Sequence, residues 1–299
     1  MKTSEDSSDV TNDKATDDRV TRSKYDVFIR LGRKRIAMVG LGIVVLMMLA
    51  AIFAPLVAPN DPYDQQLHLA RQAPSREYPL GTDNLGRCVL SRLIYGTRVS
   101  LSVGFMVVTL RGLIGIPAGL VAGFYGGKVD SIIMRVTDVF IAFPGILLAI
   151  AVMAVWGPGI FNVMLALAIV GWPQFARLVR GEVLGLKEQE FVEAGRAMGL
   201  TDSHLIFKYL LPNILGVVVV YGTLGLAAPI VSEAALSFLG LGTMPPTISW
   251  GRMLAEGRRY MRHLPWLATY PGVAITITVL GFNLFGDGLR DVLDPRQRD

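Results

Sequence analysis

Long apolar runs alternate with short polar segments along most of this 299-residue sequence. Six of the runs approach the roughly 20 residues that a helix needs to cross a hydrocarbon core of about 30 Å. Because lipid offers no hydrogen-bond partner to a backbone amide, such runs must be helical. They cover 36–58, 99–124, 139–156, 160–176, 214–231 and 266–285. The pattern predicts an all-α, polytopic membrane protein with six transmembrane helices.

Two segments before the first run differ from the rest of the chain. Residues 1–24 carry six acidic and five basic side chains and almost nothing apolar. They bury too little surface to offset their chain entropy, so we expect a disordered tail. In 25–35, Val27, Phe28 and Leu31 fall near one helical face among basic residues. This arrangement is typical of a helix that lies at the membrane surface.

The basic residues predict the orientation of the bundle. An even number of spans places both termini on one side; with that side inside, 19 of the 29 Lys and Arg fall in inner segments and nine in outer ones. Cytoplasmic loops carry such an excess, so both termini are expected in the cytoplasm. The expected order is a cytoplasmic tail, an interfacial helix, transmembrane helix 1 (36–58), an outer loop (59–98), a core domain (99–290) that includes the inner loop 177–212, and a cytoplasmic C-terminus (291–299).

Composition and motifs argue against several classes of function. With 52% hydrophobic and 18% charged residues, the chain does not read as a soluble enzyme. The single cysteine, Cys88, excludes an internal disulfide, and three widely separated histidines give no short metal-ligand spacing. The nearest approach to a Walker A loop, Gly126-Gly127-Lys128, lacks the first Gly and the final Ser or Thr. We therefore expect no metal, no bound cofactor and no catalytic residue in this chain.

The inner loop is the most informative segment and reads FVEAGRAMGLTDSHLIFKYLLPN from position 191. Gly199 fits a position where a helix ends in left-handed backbone, and Thr201 or Asp202 fits the cap of a second helix. Pro212 fits the start of the fifth span, where a missing amide proton costs little. The segment predicts two short helices at an angle on the cytoplasmic face.

The same segment resembles the signature of the permease subunits of bacterial ABC importers: E-A-A, three residues, G, nine residues, I-x-L-P. Five residues fall on this spacing in register: Glu193, Ala194, Gly199, Leu211 and Pro212. Two positions depart, with Gly195 in place of the second Ala and Tyr209 in place of Ile. Gly195 should loosen the helix by roughly 0.5–1 kcal/mol relative to Ala.

Other segments resemble one branch of that family, the C-type permeases of dipeptide, oligopeptide and nickel importers. They are LGTDNLGR (80–87), SRLIYG (91–96), LSFLGLG (236–242), PP followed by SWG (245–251), and GDGLRD followed by LDP (286–295). The resemblance implies the type I ABC importer permease fold. It also implies a non-catalytic subunit that moves di- or oligopeptides across the bacterial cytoplasmic membrane.

The resemblance further implies partners and a coupling site. The partners are a second, homologous permease subunit in a heterodimer, two cytoplasmic ATPases that bind ATP and Mg²⁺, an extracytoplasmic substrate-binding protein and membrane lipid, with no nucleic acid. The first short helix of the loop is expected to sit in a groove of an ATPase. The implied ATPase-coupling residues are Glu193, Ala194, Gly195, Arg196, Gly199, Leu211 and Pro212. Small Ala194 and Gly195 would permit close approach, and Glu193 and Arg196 would make polar contacts.

The residues that line the substrate pathway are not identified by the sequence. Arg111, inside the second run, is either functional or satisfied by a backbone carbonyl. Glu233 either lines an outer gate or caps helices, and Arg135 and Asp138 are expected to form a surface pair. An outer basic set either docks an acidic binding protein or is simply solvated; it comprises Trp250, Arg252, Arg258, Arg259 and Arg262.

The sequence leaves alternatives for the transported substrate and for the class of transporter. Dipeptides, oligopeptides, glutathione, nickel complexes and other small conjugates all fit, with peptides favoured. A secondary transporter is the alternative of a different class. It predicts inverted repeats, broken helices and coupling acids near the midplane, and it leaves the inner signature unexplained.

Overall fold

The computed structural model describes residues 31–293. The predicted tail 1–24, most of the predicted interfacial helix 25–35, and residues 294–299 lie outside the described residues. Within 31–293 the chain forms α-helices and no named β-strand, as the apolar pattern predicts. The helices are α1 Arg35–Ile52, α2 Ala54–Val57, α3 Val89–Tyr125, α4 Gly127–Ala142, α5 Gly145–Trp156, α6 Ile160–Leu186, α7 Glu190–Ala197, α8 Asp202–His204, α9 Leu211–Leu224, α10 Ala227–Phe238, α11 Trp250–Arg258 and α12 Trp266–Leu293.

Five stretches of the described chain are long and apolar enough to cross a membrane. They are Arg35–Ile52, Val89–Tyr125, Ile160–Leu186, Asp202–Phe238 and Trp266–Leu293. The helices α4 and α5 pass the same test only as a pair, and they are bent by 88° at their junction. Counted as one broken span, this pair gives the predicted six.

The prediction of an uninterrupted span over 139–156 is wrong. Helix α4 ends at Ala142, and Phe143 (φ −93°, ψ 139°) is extended. A proline disfavours helical backbone at the residue before it and has no N–H to donate. The break therefore follows from Pro144, which an apolar count does not detect.

Other spans extend beyond their apolar runs. Helix α3 begins at Val89 instead of residue 99, and α6 continues to Leu186 instead of ending at 176. The inner loop predicted to begin at 177 therefore begins after Leu186. Hydropathy marks only the part of a helix that lipid would cover, whereas backbone hydrogen bonding continues past it.

Helices α3 and α6 pack closely along their length. Gly115, Gly119 and Gly123 of α3 face α6, and a Cβ on any of them would lie under 3 Å from α6 atoms. Small residues let two backbones approach this closely. With 37 residues, α3 is about 55 Å long, so it reaches both ends of the bundle.

The two ends of α3 define two regions. Near its C-terminus, Leu120 and Phe124 share a core with α7 and the residues after it. This region, 187–212 with the chain around it, is called the signature end. Near its N-terminus, Val89 shares a core with Trp250 and Met253 of α11. That region, 59–98 with 240–265, is called the loop end.

Candidate functional site

Helix α7 carries the signature residues and is anchored by an apolar side chain. Val192 is fully buried and belongs to one core cluster with Phe124 of α3, Val183 of α6 and Leu205. Val192 thus lies in a core that also takes side chains from α3, α6 and the helical segment after Gly199. Movement of α7 would have to carry these neighbours with it.

A glycine turn ends α7. The amide of Gly199 donates to the carbonyl of Arg196 (2.9 Å), and the amide of Leu200 donates to that of Gly195 (3.1 Å). These two bonds form a Schellman motif. Its left-handed position is Gly199 (φ +77°), where a side chain would be strained. The predicted role of Gly199 as a helix end is therefore confirmed.

Gly195 lies on the inner face of α7. A Cβ there would lie 2.8 Å from Cδ2 of Leu205 and 3.3 Å from Cδ1 of Leu200. The close approach that Gly195 allows is thus to leucines of its own chain. This packing explains why Gly, and not the usual Ala, fits here.

The outer face of α7 carries the polar signature residues. Glu193, Ala194 and Arg196 are exposed, and the Arg196 guanidinium lies 5.4 Å from the centroid of the Phe124 ring. Met198, which the motif comparison did not single out, is 71% exposed beside the turn. Methionine is enriched in protein–protein interfaces relative to the rest of the protein surface.

The segment after Gly199 differs from the prediction. Thr201 takes the cap position of α8, but its side chain makes no capping hydrogen bond. From Asp202 the chain continues through a π-helical turn, Leu205–Leu210, directly into α9. A π turn next to a proline accommodates the amide that proline lacks. The expected separate second helix is therefore wrong.

Two predicted coupling residues lie in that continuous helix. Leu211 is half-buried against the core that holds Val192, and Pro212 is exposed at the second position of α9. The structure thus brings Glu193, Ala194, Arg196 and Gly199 together on one surface. Gly195 and Leu211 support that surface from inside.

Ion pairs join α4 to α6 near the signature end. Arg180 donates to both oxygens of Asp130, from Nε at 2.5 Å and from Nη2 at 2.6 Å. Asp138 pairs with Arg177. The expected Arg135–Asp138 pair is therefore wrong, because the partner of Asp138 comes from a helix far along the sequence.

At the loop end, buried charges hold the outer segment. Asp83 Oδ1 accepts from the amides of Leu85 (2.8 Å) and Arg87 (3.0 Å), while Oδ2 accepts from Arg87 Nε (2.7 Å) and from Arg92. Arg92 also donates to Glu256 of α11 (3.0 Å). The G-T-D-N-L-G-R segment is thus a turn clamped to α3 and α11.

Glu233 lies in a buried hydroxyl cluster. Its Oε1 accepts from Ser237 Oγ (2.6 Å) and Ser249 Oγ (2.9 Å). Ser249 in turn caps α11, accepting from the amide of Arg252 (3.1 Å). Of the two alternatives left by the sequence, this geometry is that of a capping link between α10 and α11.

The expected basic surface at the loop end contains fewer residues than predicted. Trp250 is buried, with its indole Nε1 donating to the carbonyl of Leu93 (3.0 Å), and Arg252 pairs with Glu256 (2.9 Å). Neither belongs to an exposed surface. The exposed members are Arg258, Arg259 and Arg262.

Within residues 31–293, no group of three or more His, Cys, Asp or Glu is placed to hold a metal ion. Cys88 is buried. The intramembrane Arg111 donates from Nε to the carbonyl of Leu167 on α6 (3.1 Å).

Two solved structures of the MetNI methionine ABC transporter, in inward-facing conformations, share this fold. One has a TM-score of 0.54 and 22% identity and covers 67% of this chain and 95% of that chain. The other has a TM-score of 0.55 and 23% identity and covers 67% of this chain and 96% of that chain.

Curated relatives are similar over nearly the whole sequence. The dipeptide transport system permease protein DppC of Alkalihalophilus pseudofirmus is 44% identical over 91% of this chain and 90% of its own. The oligopeptide transport system permease protein OppC of Bacillus subtilis is 42% identical over the same shares. The glutathione transport system permease protein GsiD of Escherichia coli is 45% identical over 93% of this chain and 92% of its own.

Two family models match different parts of the sequence. Residues 25–74 match the N-terminal TM domain of oligopeptide transport permease C. Residues 115–299 match the binding-protein-dependent transport system inner membrane component. This chain therefore belongs to the binding-protein-dependent transport system inner membrane components, the permease subunits of ABC importers.

Proposed function

We propose that this permease subunit imports peptides across the bacterial cytoplasmic membrane, driven by separate ATPases that dock on α7. The signature end, both termini and the interfacial segment 25–35 then face the cytoplasm. The loop end faces outward. The chain itself performs no hydrolysis and holds no cofactor, since ATP and Mg²⁺ belong to the ATPases.

The two faces of α7 carry this proposal. Glu193, Ala194 and Arg196 are exposed, while Val192 and Gly195 are buried against the core that α7 shares with α3, α6 and α9. A force on the outer face would pass directly to packed side chains, because a dense core deforms little. This is the arrangement that coupling to an external ATPase requires.

Peptides are the proposed substrate because of the names that similar permeases carry. Relatives at 42–45% identity are named for dipeptides, oligopeptides and glutathione. Glutathione is the second candidate, since it is itself a small peptide and its permease is as similar as the others. The substrates in all three names contain peptide bonds and carboxylates.

The remaining partners are proposed by region. A second, homologous permease would complete the pathway as a heterodimer, and two ATPases would each dock on one permease. An extracytoplasmic binding protein would meet the loop end, where Arg258, Arg259 and Arg262 are exposed. Exposed arginines would attract an acidic surface of the binding protein and so steer its approach by charge.

Cysteine labelling tests the orientation. Cys88 is buried, so it gives little background. A membrane-impermeant maleimide should label a His263→Cys variant in intact cells, and an Asp202→Cys variant only after the membrane is opened. Both positions are exposed, on opposite ends of the bundle. The reverse pattern would contradict the proposed sidedness.

Uptake tests the function. Cells that express the complete transporter should accumulate labelled dialanine, and Glu193→Lys should abolish uptake while the subunit still inserts. Glu188→Lys is the matched control, because Glu188 is equally exposed but precedes α7 and the signature. Unchanged uptake in Glu193→Lys would remove the coupling role of α7.

A further inference from the structure

Helix α4 exposes two adjacent stripes of opposite character. Residues three and four positions apart lie on one face of a helix. Between positions 128 and 139, every exposed residue of α4 belongs to one of two such sets. The polar set is Lys128, Ser131, Arg135 and Asp138, and the apolar set is Val129, Ile132, Val136 and Val139. Two different environments therefore suit the two halves of this exposed face.

Exposed polar residues of α6 continue the polar stripe of α4. Gln174 and Arg177 are exposed, although Phe175 and Ala176 between them are buried. Arg177 pairs with Asp138 of α4, and the two side chains are 48% and 60% exposed. The ion pair thus joins the two sets into one surface. We call this surface the polar wall, and it consists of Lys128, Ser131, Arg135, Asp138, Gln174 and Arg177.

The deep end of the polar wall lies within the membrane. Helix α6 begins at Ile160, shortly after the exposed Trp156, and tryptophan is enriched at membrane–water interfaces. At 1.5 Å per residue, Gln174 lies about 21 Å and Arg177 about 26 Å along α6 from Ile160. Both distances are shorter than the hydrocarbon core of about 30 Å. Asp138 lies at the depth of Arg177, because the two side chains are paired.

Lipid is a poor environment for charged groups at that depth. Ionisable residues in membrane spans face the interior of a bundle or a water-filled cavity. Asp138 and Arg177 are instead exposed on the outside of the bundle that this chain forms. The exposed residues of other spans include large apolar ones, such as Leu46, Leu147 and Leu280, which suit lipid. The polar wall is therefore the part of the outer surface that calls for water.

We propose that the polar wall lines the inner half of a water-filled transport path, which a second permease closes from the opposite side. The inference rests on the proposed function, which supplies that second permease. Lys128, near the signature end, would lie at the cytoplasmic mouth of the path. Gln174, whose Oε1 lies 3.4 Å from the Tyr221 hydroxyl, would lie at its deepest part.

Thiol accessibility in the complete transporter tests this placement. The variants Gln174→Cys and Val139→Cys are reconstituted in liposomes, and MTSET, a charged methanethiosulfonate, is added on the side of the signature end. Val139 is the matched control, because it is exposed on the apolar stripe and adjoins Asp138; the buried Cys88 gives little background. We expect Gln174→Cys to react about tenfold faster or more, because lipid disfavours both the reactive thiolate and the charged probe. Both variants should react fully once dissolved in SDS.

Transport after labelling tests whether the accessible surface belongs to the path. The liposomes enclose the binding protein and labelled dialanine, and ATP is added outside, so that only transporters with outward-facing ATPases release dialanine. MTSET-treated Gln174→Cys should lose most of this release, because the attached group obstructs the path. Treated Val139→Cys should release dialanine at its untreated rate.

A second variant tests the environment of the ion pair. Asp138→Asn removes the charge that pairs with Arg177. In water, the amount of inserted subunit should stay within about twofold of wild type, because an exposed ion pair contributes little to stability. In lipid, the unpaired Arg177 would be costly, so a severe loss of inserted subunit would contradict the inference.

Other outcomes also overturn the inference. Slow labelling at both positions would show that lipid or direct contact with the second permease covers the polar wall. Fast labelling at both would place α4 outside the membrane, and full labelling of Gln174→Cys with unchanged transport would place the polar wall outside the path. If the unmodified transporter hydrolyses ATP but releases no dialanine, the proposed substrate is wrong, while the labelling rates still test the polar wall.

Discussion

The two ends of α3 are held by different forces. At the signature end, α7 is held by the buried Val192 and the tightly packed Gly195, and its charged residues are exposed. At the loop end, buried charges do the holding, with Asp83 and Arg92 both almost inaccessible. At the signature end, changes to the exposed residues should therefore have little effect on stability, which leaves those residues available for contacts with partners. The loop end depends on its polar residues to stay folded.

The largest expected effect is at the loop end. Arg92→Ala would leave Asp83 buried with only Arg87 as a charged partner, and breaking a buried pair costs about 3–5 kcal/mol. Thermal unfolding of the purified chain in detergent should show a large fall in Tm. Arg98→Ala, at an exposed position of the same helix, should change stability by about 0.5 kcal/mol or less. Equal effects would contradict the comparison.

Neighbouring positions on α7 offer the next test. Gly195→Val would overlap Leu205 and Leu200, and overpacking of a core costs about 1–3 kcal/mol. Ala194→Val faces outward and should leave the unfolding temperature unchanged. It should instead weaken retention of the ATPases on purification. If both variants behave alike in unfolding, the assignment of inner and outer faces is wrong.

Loss of a single hydroxyl group at the loop end should lower the stability by a smaller amount. Ser249→Ala removes the α11 cap and a hydrogen bond to Glu233, which predicts a loss of about 1–2 kcal/mol. Ser102→Ala is the control, because the Ser102 hydroxyl is exposed and bonds only within its own helix. Hydrogen exchange at α11 should increase in the first variant alone.

The smallest expected effect is at the turn of the signature end. Gly199→Ala places a side chain at φ +77°, a cost of about 1 kcal/mol. Gly185→Ala should be neutral or stabilising by up to about 1 kcal/mol, because residue 185 is helical with open space around it. Chemical unfolding of the pair measures the difference. A Gly199→Ala variant as stable as wild type would argue against the left-handed turn.

Sequence reasoning succeeds where the information is local. Apolar runs locate the spans, and Gly199 marks the end of α7, because lipid burial and left-handed backbone each leave a trace in adjacent residues. It fails at Phe143, where the proline that follows breaks a run that still reads as apolar. The residue that causes the break is Pro144, which a count of apolar residues does not distinguish from its neighbours.

The sequence does not show which side chains from distant segments contact each other in the fold. Asp138 is three residues from Arg135, yet its partner is Arg177 on another helix. Trp250 reads as an exposed aromatic among arginines, yet it is buried against the carbonyl of Leu93. Gly195 reads as an outward-facing small residue, yet it contacts Leu205. In each case the deciding neighbour is set by packing between distant segments.

The most direct test of the central claim places a photocrosslinking amino acid at position 194, on the outer face of α7, in the complete transporter. A second sample carries the same group at position 263, exposed at the loop end. The account predicts that illumination joins position 194 to an ATPase subunit and leaves position 263 without any ATPase adduct. An ATPase adduct at 263, or none at 194 while uptake remains intact, would contradict it.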